Sequence, residues 1–144
     1  MIGRTFVATL LMASTAGAVD LTGPALALDA ATLQIGGSVV RLYGVSVPDL
    51  NSTCRAEEET LPCGAIARDA LMDLVAGATV ECALRGSSGS APLAACAVNG
   101  YDLGESLVYA GWARAAIPDY ADEERQARAG RHGLWRWTER WPLP

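Results

Sequence analysis

The sequence predicts an α+β fold: a small closed β-barrel of short strands with helices over it. Three observations carry this expectation. Two stretches alternate apolar and polar residues and are each broken by a glycine-bearing turn, as hairpins are. Three other stretches carry helical spacing. The segments run hairpin, helix, hairpin, helix, helix, an order that suits a barrel of short strands with helical caps. The chain has 144 residues and is 51% hydrophobic, enough for one domain with its own core.

The N-terminal stretch lies outside that domain. Arg4 precedes the apolar run "TFVATLLMASTAGAV", and the small residues Ala16-Gly17-Ala18 follow. This is the layout of a secretory signal peptide. The run is too short for a permanent membrane span, which takes ~20 residues. A second cleavage site is Ala25-Leu26-Ala27, but "PALALDAATLQI" reads as a first strand that the domain needs. Cleavage after Ala18 is therefore preferred, with residues 1–18 as signal and 19–144 as one domain. The sequence then predicts a periplasmic or secreted protein with no transmembrane segment.

"LALDAATLQIGGSVVRLYGV" reads as the first hairpin, turning at Gly36-Gly37. Residues 46–62 read as a polar, acidic loop. "CGAIARDALMDLVAGA" follows as a helix. Ile66, Ala67, Ala70, Leu71, Leu74 and Val75 share one face, Arg68, Asp69 and Asp73 lie opposite, and Gly77 ends it. "TVECAL" and "LAACAV" form the second hairpin across "RGSSGSAP". In "DLGESLVYAGWA", Asp102 caps a helix, Glu105 sits three residues on, and Gly111 stops it. "DYADEERQARAGRHG" reads as a third helix from Asp119 to Gly133, acidic at its start and basic at its end, matching the helix dipole. The aromatic tail "LWRWTERWPLP" packs back on the body.

Four cysteines, Cys54, Cys63, Cys82 and Cys96, imply two disulfides in an exported chain, with three pairings open. No CxxC pair points to zinc. If the second hairpin centres on Gly89, Cys82 faces Cys96, Val80 faces Val98 and Leu84 faces Ala94, all on one face. Cys54 is then left with Cys63. Each bridge is worth roughly 2–3 kcal/mol on the loop-closure argument. The net charge is −5, and all 11 basic side chains are arginines. An acidic chain repels phosphate backbones at long range, so nucleic acid is a disfavoured partner unless a local basic patch exists.

"LTGPALALDAATLQIGGSVVRLYGVSVPD", "CGAIARDALMDLVAGATVEC", "DLGESLVYAGWA" and "ARAGRHGLW" resemble the thermonuclease family, in particular its exported, disulfide-bearing bacterial members. The resemblance runs from about residue 21 to residue 135. It implies a five-stranded OB-fold barrel capped by three α-helices. It also implies Ca²⁺-dependent hydrolysis of DNA or RNA in members whose sites are intact. The family's Asp-Gly-Asp-Thr motif reads Asp29-Ala30-Ala31-Thr32 here, so a metal-ligand aspartate is replaced by Ala31. Arg41 matches the family's arginine and Pro48 its proline. Ser46 stands in place of a ligand aspartate, and Asp49 in place of the glutamate general base. Ala91 occupies the position of a second arginine.

Phosphodiester hydrolysis needs charge neutralised on the phosphate, an activated water and a clamp on the transition state. Ca²⁺ takes about six to eight oxygen ligands. With Ala31, Ser46 and Ala91, catalytic Arg41 and Asp49 remain as remnants. Asp29 is expected on the same strand and face as residue 31, about 6–7 Å along it, as a possible metal ligand. The expectation is a pseudo-nuclease without a cofactor, acting as a binding or interaction module. The alternative is a weak Ca²⁺-dependent nuclease using Asp29, Arg41, Asp49 and Arg85. Simpler roles are expected for the other polar residues. Arg41 is read as an ion pair with Asp49, Glu57-Glu58-Glu59 as a solvated loop, and His132 as a partner of a helix end. Ser87, Ser88 and Ser90 are read as turn residues without a base. Trp135 is read as a core cap, while Trp137 and Trp141, interleaved with Arg136 and Arg140, can either cover the barrel or stack on bases.

Overall fold

The computed structural model describes residues 18–141; the proposed signal peptide falls almost wholly outside them. The first half of the chain forms β1 (Leu21–Gly23), β2 (Ala25–Asp29), β3 (Thr32–Ile35), β4 (Ser38–Leu42), β5 (Val45–Ser46), β6 (Cys54–Ala56), β7 (Glu59–Leu61) and α1 (Cys63–Val75). The second half forms β8 (Val80–Ser88), β9 (Ala91–Val98), β10 (Tyr101–Asp102), α2 (Leu103–Tyr109), β11 (Arg114–Ala115) and α3 (Ala121–Ala129). The fold is mixed α+β with a mainly sheet core.

Seven strands form the main sheet, in the order β1-β8-β9-β4-β3-β2 with β10 beside β9. This differs from the expected count of five, and among the described residues no ladder closes the sheet into a barrel. The two end strands, β1 and β2, are nevertheless consecutive, separated only by Pro24. Proline lacks the N–H a ladder needs and breaks the run there. The first half of this stretch pairs with β8 and the second with β3. β4 meets β9 in parallel, Arg41 beside Leu93.

The first hairpin is in fact a three-stranded meander. Besides Gly36-Gly37, the chain turns at Ala30-Ala31, where Asp29 Oδ1 accepts the Ala31 N–H at 2.8 Å. An Asp side chain that bonds the backbone two residues on makes such a turn without glycine. Asp29 and Ala31 therefore do not share a strand. The second hairpin has the expected register: Val80 opposite Val98, Cys82 opposite Cys96, Leu84 opposite Ala94. Both disulfides, Cys54–Cys63 and Cys82–Cys96, are as expected. The loop 46–62 holds two unexpected elements, β5 and the β6–β7 hairpin, the latter tied by Cys54–Cys63 to the start of α1.

α1 buries Ala67, Leu71 and Val75 against the sheet, though Leu74 stays exposed. Asp102 caps α2 by accepting the Glu105 N–H at 2.8 Å, and it also accepts the Tyr120 hydroxyl at 2.9 Å. Burial, then the Asp102 charge, pushes the Tyr120 hydroxyl far above the ordinary phenol range, so it stays a donor. α3 ends at Gly130, not Gly133, and no side chain of Asp119 caps it: a 3₁₀ turn, Pro118–Tyr120, precedes it and another, Gly133–Arg136, follows. Leu33, Val40, Val80, Leu107 and Val108 belong to the main core; Cys63, Ala127, Leu134, Trp135 and Trp141 form a second one.

Candidate functional site

Arg41, Thr32 and Asp29 converge at the open end of the β2–β3–β4 meander. Register places Arg41 directly across from Thr32, and Thr32 across from Asp29. Arg41 Nη1 donates to Thr32 Oγ1 at 3.3 Å and lies 3.7 Å from Asp29 Oδ2. Asp29 is thus committed twice, by Oδ1 to the turn and by Oδ2 to the arginine. The side chains of Arg41 and Asp29 keep 39% and 30% of their surface in solvent. Their attraction is therefore screened, and the pair contributes at most ~1 kcal/mol. The expected Arg41–Asp49 ion pair is absent from the described residues; Asp29 takes that place because register puts it within reach.

Ala30 and Ala31 are both 0% exposed, and Ala31 belongs to the main core. The Ala31 carbonyl accepts the Leu42 N–H at 2.7 Å, which clamps the turn onto β4. Position 31 is thus an apolar one, closed from solvent.

Gly44 turns the chain from β4 into β5 with φ +83°, a conformation other residues reach with strain. A Cβ there would sit 2.8 Å from both Ile117 and Tyr120. β5 then pairs with β11, with Ser46 opposite Arg114. Ser46 is exposed, and Arg114 is held by Glu124 at 3.5 Å. Pro48 is fully buried while Asp49 is exposed. The backbone of Asp49 is what the fold uses: its carbonyl accepts the Ser52 N–H at 2.9 Å. The same carbonyl lies where a Cβ on Gly64 would be, 1.8 Å away, so only glycine lets α1 approach this loop.

The remaining candidates lie apart from this cluster. Arg85 is exposed on β8, and Ala91 begins β9 opposite Ser88. Ser87 and Ser88 are strand residues, and Ser90 alone stays in the turn. His132 Nδ1 lies 2.8 Å from the Tyr109 carbonyl oxygen at the C-terminal end of α2, while its backbone N–H donates to the Ala127 carbonyl in the last turn of α3 at 2.9 Å. Glu57, Glu58 and Glu59 are exposed in the β6–β7 hairpin. Trp135 is buried as expected, and Trp141 packs on it with ring centres 5.2 Å apart. Trp137 is half-buried beside Trp112 at 6.5 Å. Trp141 is therefore a core residue, and Trp137 keeps one open side. The grooves beside Trp137 went unread in the sequence, because Trp137 and Arg140 lie some 80 residues from Arg55 and the three glutamates that complete their lining.

Chemically, the cluster offers one partly neutralised arginine, one committed carboxylate and, farther along the loop, one exposed carboxylate. Among the described residues no three His, Cys, Asp or Glu side chains converge on a common point. No protein-family model and no curated protein matches this chain.

Proposed function

We propose that the chain is an exported, thermonuclease-like OB-fold domain whose phosphodiesterase site is inactive, and that it works as a binding or interaction module. The observation that carries this is Ala31, 0% exposed within the core at the position of a metal-ligand aspartate. The residues present do not fit Ca²⁺. Ala31 has no oxygen on its side chain, Ser46 offers a hydroxyl, and Asp29 is already committed to the turn and to Arg41. A hard cation that wants about six to eight oxygens finds too few here. Asp49 is also one methylene shorter than a glutamate base, a displacement large enough to matter for proton abstraction.

The topology supports the OB reading. With Leu21–Asp29 counted as one strand bent at Pro24, and with the two-residue β10 set aside, the sheet has five strands. Its path then begins and ends on the same strand, as a partly open five-stranded barrel would. Two disulfides support an oxidising compartment, periplasmic or extracellular. No helix among the described residues is long and apolar enough to cross a membrane. Cleavage after Ala18 leaves β1 and β2 whole, whereas cleavage after Ala27 removes β1 and splits β2.

The second reading, a weak nuclease, has one observation in its favour: Arg41 and Asp29 are adjacent and both reach solvent. The deciding experiment incubates the mature protein with single- and double-stranded DNA and RNA, with and without Ca²⁺, alongside calorimetric Ca²⁺ titration. The expected result is neither cleavage nor Ca²⁺ binding. Ca²⁺-dependent cleavage that disappears in Arg41→Ala overturns the proposal.

A further inference from the structure

Trp137 divides a surface whose two sides carry opposite charge. On one side is a cleft of about 720 Å³ lined by Glu57, Glu58, Glu59, Ala56, Leu61 and Trp137. On the other is a groove of about 450 Å³ where Arg55 and Arg140 flank Trp137 and Trp141. These five charged residues are exposed, and among the described residues none has an ion-pair partner. Elsewhere among the described residues Arg41, Arg68, Arg114 and Arg125 are each paired with a carboxylate, whereas Arg85, Arg128, Arg131 and Arg136 are not. Unmatched charge of both signs is thus gathered around one half-buried tryptophan.

We propose that this face is a self-association surface and that its partner is a second copy of the chain. A two-fold axis beside Trp137 would lay the acidic lip of each copy on the basic groove of the other, so every contact is made twice. The charge pattern selects this occupant. A polyanion matches Arg55 and Arg140 but is repelled by the three glutamates, and a polycation meets the reverse problem. A second copy presents both signs in the opposite order. Tryptophan is a favoured centre for such interfaces, with charges at the rim fixing register and speeding encounter. The acidic lip is also preorganised, because the β6–β7 hairpin is a closed ladder tied to α1 by Cys54–Cys63. This inference is independent of whether the Arg41 cluster is catalytic.

The test measures sedimentation of the mature protein at about 0.02 M and about 0.5 M salt, since surface charge pairing is screened over that range. The low-salt sample should dimerise and the high-salt sample dissociate. Glu58→Arg with Glu59→Arg, and separately Arg55→Glu with Arg140→Glu, should each raise the dimer dissociation constant at least about tenfold. Mixed in equal amounts, the two variants should recover a dimer, because each then supplies the charge the other lacks. Should one variant fail to fold, the other and the salt series still decide. The proposal is overturned by a wild type that stays monomeric at low salt, by association that both variants retain, or by a mixture that does not re-associate. A monomer that binds a fluorescent oligothymidylate at low salt, and loses it in Arg55→Glu with Arg140→Glu, also overturns it by assigning the groove to a polyanion.

Discussion

A carboxylate placed at position 31 tests whether that position is closed to charge. In Ala31→Asp the new side chain starts from a position with 0% exposure, in the main core. Its nearest charged group through the backbone is Asp29, whose Oδ1 already holds the Ala31 N–H at 2.8 Å. Arg41 is engaged with Asp29 at 3.7 Å, so two carboxylates would compete for one guanidinium. A buried charge without a dedicated partner costs several kcal/mol, here about 3–5. At a urea slope of about 1.5 kcal/mol per molar, the unfolding midpoint should drop by about 2–3 M. Burial raises the pKa of the new carboxyl, so the unfolded state loses its proton at a lower pH than the folded state does. The charge penalty is therefore complete at pH 7 and fades as pH falls towards about 4, leaving only the overpacking cost. Urea titrations at both pH values, with and without millimolar Ca²⁺, read this directly. A variant within about 1 kcal/mol of wild type at pH 7 would refute the claim that position 31 is closed. A midpoint restored by Ca²⁺ would refute the claim that the residues do not fit the ion.

Tyr120→Phe should cost about 1–2 kcal/mol near neutral pH, since it strips Asp102 of a buried donor. Because the Tyr120 pKa is raised, the wild type should lose stability as pH climbs beyond about 10, and the variant should lose less of it; parallel alkaline denaturation curves would contradict this. Gly44→Ala should destabilise by about 2–3 kcal/mol, from its φ of +83° and the 2.8 Å approach of Ile117 and Tyr120, and a neutral result in urea titration would remove that reading. Replacing Cys82 and Cys96 together by alanine should lower stability by about 3 kcal/mol, and the Cys54/Cys63 pair by nearly as much. Peptide mapping of the unreduced protein should recover only these two linkages.

What could be read from the sequence depended on whether a signal was local or needed register. The second hairpin was legible because two cysteines at alternating positions flank one turn, and only one register places them opposite each other. The Asp102 cap was legible because its acceptor bond spans three residues. The Ala30-Ala31 turn was not: two alanines carry no turn signal, and the Asp29 side chain that makes the turn looks the same as a metal ligand in the sequence. That ambiguity governs the site. Once Asp29 closes the turn, Ala31 is carried into the core, and β3–β4 register delivers Arg41 to Asp29 and away from Asp49. The register of β2, β3 and β4 thus sets which acid the arginine meets. The Asp29 carboxylate thus serves the fold, one oxygen holding the Ala31 N–H and the other lying beside Arg41.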